Sequence, residues 1–240
     1  MLSSLDPGRS DLATEYAVHH LERVASTQDE ARSRFDGRPC LVTATAQEAG
    51  RGRGGTGWVS APRALATSVA FETWWPVDQV PLITLVAGLS AKRVLGPAVA
   101  LKWPNDVLTE SGEKVAGLLA ERTGELVVMG MGVNLHWPDA PQGMAGLFRD
   151  DPGPEAGRRI ATQWCEDLFA ELAAGPEGFL PAEYEEVSAT IGSVIAWEGG
   201  GPATAIGIDA TGGLVVEGAT GRQVLRSGQV HTVRPTTLTD

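Results

Sequence analysis

Only two cysteines occur in the 240 residues, Cys40 and Cys165, each within an apolar stretch, and no C-x-x-C or Cys/His ligand spacing is present. A disulfide scaffold and a structural zinc site are thereby excluded, and two packed thiols in a reducing compartment are expected. Basic charge is scarce as well: 19 Lys and Arg stand against 30 Asp and Glu, for a formal net charge of −11. Such a chain repels polyanions, which disfavours a general nucleic-acid or acidic-membrane binder and requires any phosphate to be met at a local basic spot.

Long apolar runs are missing. Val80 to Ala91, the longest candidate, is broken by Lys92 and Arg93 and is too short to span a bilayer. Met1 to Thr14 has neither a basic n-region nor an apolar h-region, so no secretory signal is expected and a cytoplasmic protein is. Thirty glycines and fifteen prolines show no G-x-y period and no internal repeat, which excludes collagen and leaves ordered loops.

What is present is a folding composition, 42% hydrophobic and 20% charged. At about 150 residues per domain the length suggests one large unit plus a small one. Strand-like and helix-like segments alternate in the first part, predicting a mixed α/β body. Tyr16 to Val24, Cys40 to Ala46, Leu65 to Trp75, Val99 to Trp103, Val115 to Leu119 and Leu126 to Met131 read as strands. Thr27-Gln28-Asp29-Glu30 has the pattern of a capping box opening a short helix, and Pro81 to Leu95 reads as a second helix. Ile160, Trp164, Leu168 and Leu172 recur every four residues as the buried face of a third. After about Ser188 the texture becomes short strands between glycine-rich turns, at Ser193 to Trp197, Ala203 to Ile208, Leu214 to Glu217, Gln223 to Arg226 and Gln229 to Val233. The expected organisation is a large α/β domain over 1–187 and a small β-barrel over 188–240.

Between the second and third strands lies Gln47 to Trp58, with five glycines in the eight residues from Gly50 to Gly57 and two arginines among them. Glycine lets backbone N–H groups approach a ligand, and Arg51 and Arg53 offer planar, permanently charged donors for phosphate. Gly50, Gly52 and Gly55 satisfy G-x-G-x-x-G, but Trp58-Val59-Ser60-Ala61-Pro62 does not open the helix a dinucleotide fingerprint needs, and the Gly-Lys-Ser/Thr ending of a P-loop is absent. Ordering each loop residue costs roughly 1 to 2 kcal/mol, so a loop mobile until an anion orders it is expected.

The second informative stretch is Leu101-Lys102-Trp103-Pro104-Asn105-Asp106. Pro104 has no N–H and stops the strand, leaving Lys102 near its end inside an otherwise apolar run. Lysine there either meets an anion or guards a sheet edge. Asn105 and Asp106 could orient metal-bound phosphate or cap the turn. Glycines within Lys114 to Leu119 and Gly130 to Leu135 mark close approach by a ligand, a bulge or tight sheet packing.

Taken in order, Ser26-Thr27, Gln47 with Gly50-Arg51-Gly52-Arg53, Lys102-Trp103-Pro104-Asn105-Asp106, Lys114 to Gly117 and Gly132-Val133-Asn134 resemble the biotin protein ligase family, over nearly the whole chain. The resemblance implies a mixed sheet flanked by helices, related to class II synthetase cores, with an SH3-like C-terminal domain. A short form is implied, since the match begins too near the start to leave room for the DNA-binding winged helix that some members carry. The implied chemistry uses biotin, ATP and Mg²⁺ to make biotinyl-5'-AMP, then acylates a lysine of a biotin carboxyl carrier protein, with no DNA and no membrane. By position, Ser26, Thr27, Gln28 and Gln47 would line the biotin pocket, and Gly117 would let the fused rings lie on backbone. Arg51, Gly52 and Arg53 would close over biotin and the α-phosphate, Lys102 would meet carboxylate and phosphate oxygens, and Asn134 and Trp58 would border the nucleotide. Arg51, Arg53 and Lys102 would be the catalytic cations. None of His19, His20, His136 or His231 falls in a matched motif, and none is given a role. Gln28 stands where many relatives have Asn, and Thr56 stands at a loop position often basic. The alternatives are a lipoate–protein ligase and a non-catalytic biotin-binding regulatory module.

Overall fold

The computed structural model describes residues 15–233; Met1 to Thr14, read for a secretory signal, and residues 234–240 of the expected second module lie outside the described residues. The first body contains β1 (Ala17–Val24), α1 (Thr27–Arg34), β2 (Cys40–Gln47), β3 (Arg63–Glu72), α2 (Val80–Leu95), β4 (Val99–Lys102), β5 (Asp106–Thr109), β6 (Lys114–Thr123), β7 (Leu126–His136), α3 (Glu155–Ala173) and α4 (Pro181–Glu186). Its seven strands form one mixed sheet in the order β1-β2-β3-β7-β6-β5-β4, with β1 and β2 parallel and every other pair antiparallel.

The middle strands are buried on both faces because helices cover both. Cys40, Val42, Ala70 and Val128 turn one way and enclose Ala31 of α1, while Leu41, Val69, Phe71 and Met129 turn the other way into the core shared with α2 and α3. This is the period-2 alternation of strands made apolar on both sides. The predicted four-residue stripe on α3 is the face buried there, and the Trp164 Nε1–H donates to the Ala87 carbonyl of α2 at 3.0 Å. A tryptophan so enclosed contributes about 3 to 5 kcal/mol over alanine.

Local departures from the sequence reading have simple causes. The α1 cap is Ser26 rather than Thr27, since Ser26 has extended backbone and accepts the Asp29 N–H at 3.5 Å. Thr27 thus falls in the first turn with its hydroxyl free for other partners. β5 and α4 are too short to show periodicity and were absent from the sequence reading; β5 exists because the chain reverses at Trp103-Pro104-Asn105, setting Lys102 opposite Asp106.

The C-terminal part carries β8 (Val194–Trp197), β9 (Gly200–Ile208), β10 (Leu214–Gly218), β11 (Gly221–Leu225) and β12 (Val230–Thr232). They form an antiparallel sheet in the order β11-β10-β9-β8-β12, and among the described residues no β11–β12 pairing closes it into the expected barrel. The sheet is bound firmly to the first body. Leu101 of β4 exchanges backbone hydrogen bonds with Val187 and Ala189, and Trp103 donates through its backbone N–H to Thr190 Oγ1 and through Nε1–H to the Gly212 carbonyl at 3.0 Å. One hydrophobic core runs from Leu101 and Trp103 through Tyr184 to Ile195, Ile208 and Leu214.

Candidate active site

A cleft of about 280 Å³ opens where the start of α1, the middle of β3, β6 and β7, the turn after Lys102 and the edge of β12 converge. The end nearest α1 is a hydrogen-bonding pocket. Gln47 Oε1, at the tip of β2, accepts from the Thr27 N–H at 2.7 Å and from Thr27 Oγ1 at 3.0 Å, and Thr27 Oγ1, its proton given to Gln47, accepts from Ser68 Oγ at 2.9 Å. Because that oxygen takes both donors, the Gln47 NH₂ is left for other partners. Gln28 is oriented in the opposite sense: its NH₂ donates to the carbonyls of Leu119 at 3.2 Å and Val128 at 3.5 Å, so its oxygen remains an unspent acceptor. A Cβ at Gly130 would lie 3.3 Å from Gln28 Cγ and Cδ, so a glycine opposite makes room for the longer amide.

The glycine–arginine loop is folded as a hairpin over the cleft. Arg51 and Gly57 form an antiparallel bridge, the Gly52 N–H donates to Thr56 O at 2.7 Å, and the Trp58 N–H donates to Gly50 O at 2.9 Å. Gly54 and Gly55, at φ +64° and +77°, turn the tip through a conformation that side chains disfavour. Thr56 closes the turn with its hydroxyl on the Arg53 carbonyl at 2.9 Å, which gives the non-basic residue at this position a structural task.

Trp58 lies on the sheet beneath this loop. A Cβ at Gly132 would stand 2.7 Å from its Cε2, and one at Gly117 would stand 3.0 Å from its Cζ3. The close approach predicted at Gly117 is therefore made by the protein's own indole. Trp58 Nε1 is buried without a hydrogen-bond partner among the described residues.

Four basic side chains line the cleft, Arg51, Arg53, Lys102 and Lys114, together with one carboxylate, Asp106. They divide by what they touch. Arg51, expected on the phosphate, grips Asp29 with both terminal nitrogens at 2.7 and 2.8 Å and sends Nε to Glu121 at 3.2 Å. Hydrogen bonds donated to Asp29 raise its guanidinium pKa above the ordinary arginine value, and Arg51 in turn holds the Asp29 carboxyl below the ordinary carboxylate value. Lys114, to which the sequence reading gave no role, pairs with Asp106 at 2.5 Å and sits 5.4 Å over the Trp58 ring.

Arg53 and Lys102 are different. Arg53 donates to neutral acceptors, Asn105 Oδ1 at 3.3 Å and the Gly228 carbonyl at 3.0 Å, and burial lowers its pKa with partial relief from Asp106. Lys102 has no ion pair or hydrogen bond among the described residues. These two charges are available to an anion.

The structure thus brings Thr27, Gln28, Gln47, Arg51, Gly52, Arg53, Trp58, Lys102 and Gly117 to one cleft. Ser26 and Asn134 do not line it. Ser26 is the buried cap of α1, and Asn134, 1% exposed, accepts the Ala61 N–H at 3.3 Å with its Nδ2 unpartnered. Ser68, Lys114, Met144 and His231 line the cleft without having been given a role, and Asp106, read as a residue to orient metal-bound phosphate or cap the turn, lines it with them. Met144 arrives because residues 143–145 exchange backbone hydrogen bonds with Lys114, and His231 because β12 borders the opening, long-range placements that no local motif encodes.

Residues 21–134 match the family model described as the biotin/lipoate A/B protein ligase family. The chain is 35% identical over 204 residues to the biotin–[acetyl-CoA-carboxylase] ligase of Mycobacterium tuberculosis, covering 78% of this chain and 73% of that protein. It is 32% identical to the enzyme of the same name from Paracoccus denitrificans, covering 88% of this chain and 98% of the relative. Its fold is similar to that of a biotin protein ligase from Aquifex aeolicus solved with biotin and ATP, at a TM-score of 0.76 and 23% identity over 91% of this chain and 99% of that one.

Proposed function

The chain belongs to the biotin/lipoate A/B protein ligase family, and from that premise we propose that it activates biotin with ATP and transfers it to a lysine of a biotin carboxyl carrier protein. The observation that carries this reading is the polarity of the cleft: a hydrogen-bonding end at Thr27, Gln28 and Gln47, and an end where Arg53 and Lys102 lack carboxylate partners among the described residues.

A cyclic urea offers one carbonyl oxygen and two N–H groups, and so needs donors on one side and acceptors on the other. The free NH₂ of Gln47 and the free oxygen of Gln28 supply one of each, while the Thr27 proton is given to Gln47 and the Ser68 proton to Thr27, which leaves the Ser68 oxygen as a further acceptor. In the first step the biotin carboxylate oxygen attacks the α-phosphorus, an O–P bond forms and the bond to pyrophosphate breaks. Two anions meet, so the requirement is alignment and charge neutralisation rather than a nucleophilic side chain. Arg53 and Lys102 supply that charge at a preorganised site. In the second step a carrier lysine amine attacks the acyl carbonyl, loses a proton, and AMP departs as the amide forms. The loop excludes water meanwhile, which protects the mixed anhydride from hydrolysis.

Among the described residues no cluster of three or more His, Cys, Asp or Glu could hold a metal. Magnesium keeps most of its waters and binds substrate phosphates with one or two protein carboxylates, so an ion arriving as MgATP fits this cleft with Asp106 as its one carboxylate. Its contribution would be further neutralisation of the phosphate oxygens. The division near 187/188 is supported by the end of α4 at Glu186 and the start of the second sheet at Val194. A cytoplasmic location is supported by the free thiols Cys40 and Cys165 and by the need for ATP.

Incubation with biotin, MgATP and a carrier domain, read by intact mass, tests the proposal. One biotinyl increment on a single carrier lysine is expected. Transfer of lipoate in its place would identify the related ligase, and ATP-independent binding without transfer would identify a regulatory module.

A further inference from the structure

Among the described residues from Gly50 to Gly57, Arg51 is the one with ion-pair partners, and those partners form a closed set. Asp29 holds both terminal nitrogens of Arg51, Glu121 holds its Nε, and Arg32 holds the other oxygen of Glu121 at 2.6 Å while donating to Thr123 Oγ1 at 3.1 Å. Two carboxylates and two guanidiniums cancel. Asp29 and Arg32 stand on α1, which also carries Thr27 and Gln28, and Glu121 stands on β6, beyond the segment that pairs with β5. The loop is therefore fastened to the two elements that build the floor and the polar end of the cleft.

Fastening Arg51 fastens the rest of the loop. It opens the hairpin and pairs with Gly57, so its position fixes where Arg53 and Trp58 come down on the cleft. A segment with five glycines in eight residues gains little order from its own propensity and needs an external anchor. An anion approaching Arg51 would meet Asp29 and Glu121 first. From these observations we propose that Asp29 and Glu121 are positioning residues that hold the loop closed by gripping Arg51, which serves as a latch rather than as a ligand of the reacting anions.

The proposal deepens the ligase reading and rests on it for one of its two readouts. Arg51 and Glu121 are about one-third exposed and Asp29 more than half, at 35%, 28% and 58%, so the latch is of moderate strength and can open. Release of biotinyl-AMP from the preloaded protein, followed by rapid filtration, is expected to be about threefold to fivefold faster in Asp29→Asn. Arg51→Gln should behave alike, and the double variant should release no faster than the faster single variant, because both remove one contact. Asp29→Glu should restore slow release, and the KM for ATP should not move in Asp29→Asn. The second readout needs no ligand. Trypsin should cut after Arg53 about threefold to fivefold faster in Asp29→Asn than in the parent. Unchanged cutting and unchanged release in Asp29→Asn would overturn the latch, as would multiplying effects in the double variant. A parent that forms no adenylate would overturn the ligase reading instead, and the proteolysis comparison would still decide the latch.

Discussion

Gly117 and Gly132 face each other in register across the β6–β7 ladder, and the indole of Trp58 rests on both. Two strand glycines side by side thus form a flat seat for the protein's own side chain. Alanine at 132 drives a methyl into the indole at 2.7 Å, whereas alanine at 117 meets it at 3.0 Å together with the movable end of Lys114. Overpacking of this kind costs about 1 to 3 kcal/mol. Biotin binding measured by calorimetry should weaken roughly tenfold or more in Gly132→Ala and less in Gly117→Ala. Equal affinities in both variants and the parent would show that the seat has no bearing on the site.

Lys102→Ala should slow adenylate formation by about a hundredfold or more, the loss typical of one preorganised donor at a developing charge. Thermal stability should fall by no more than about 0.5 kcal/mol, as for surface positions without partners. The lysine is half-buried and unpaired among the described residues, so the folded state gives up no ion pair when it is removed. Pyrophosphate release and a thermal melt on the same sample decide it; a large drop in stability with modest loss of rate would make Lys102 structural.

Asn134→Ala is expected to act in the opposite way. The Ala61 N–H would lose its acceptor inside the protein, a loss of about 1 to 3 kcal/mol. Denaturant midpoints should shift accordingly, while the KM for biotin should stay near the parent's. A rise in KM for ATP with unchanged stability would restore the nucleotide role expected from the resemblance.

Acidity should loosen the loop only far below neutrality. Arg51 hydrogen bonds hold the Asp29 carboxyl below its ordinary value, with partial opposition from burial. A depressed carboxylate gives stability that is full above the unfolded value, near 3.9, and lost as pH falls through the lower folded one. Amide exchange over Gly52 to Gly57, corrected for intrinsic rate, should therefore be flat from about pH 6 to 9 and rise below about pH 4. A rise beginning near pH 6 would assign the control to a histidine.

Cys40 and Cys165 are 1% and 0% exposed, and burial raises both thiol pKa values. The thiolate is the reactive form, so neither should be alkylated by iodoacetamide at pH 8 in the folded protein, and both should be after denaturation. Intact mass reports the count, and rapid native labelling of either would refute the packing.

The residues that meet in the cleft were legible where local chemistry is peculiar, as with arginines among glycines and a lysine at the end of an apolar strand, while Thr27, Gln28 and Gln47 were reached only through the family resemblance. Most elements were legible from periodicity. What the sequence hid was pairwise. The anchors of Arg51 stand at positions 29 and 121, on a helix and a distant strand, so nothing within the loop points to them. That Trp58 folds back onto Gly117, which also lines the cleft, is a pairing nothing local encodes. His231 was passed over because its role depends on how a second sheet docks, and Asn134 was assigned outward because a motif does not say which way its amide faces.

Trp103, 2% exposed and bonded through Nε1 to Gly212, joins the stretch that ends in Lys102 to the last sheet of the molecule. That joint makes the tail inseparable from the chemistry. Cutting the chain near 188 to obtain a minimal catalyst would strip a large aromatic of its cover beside the lysine, so shortened versions should precipitate rather than turn over slowly. For anyone recombining such enzymes, the tail has to travel with the turn at 102–106.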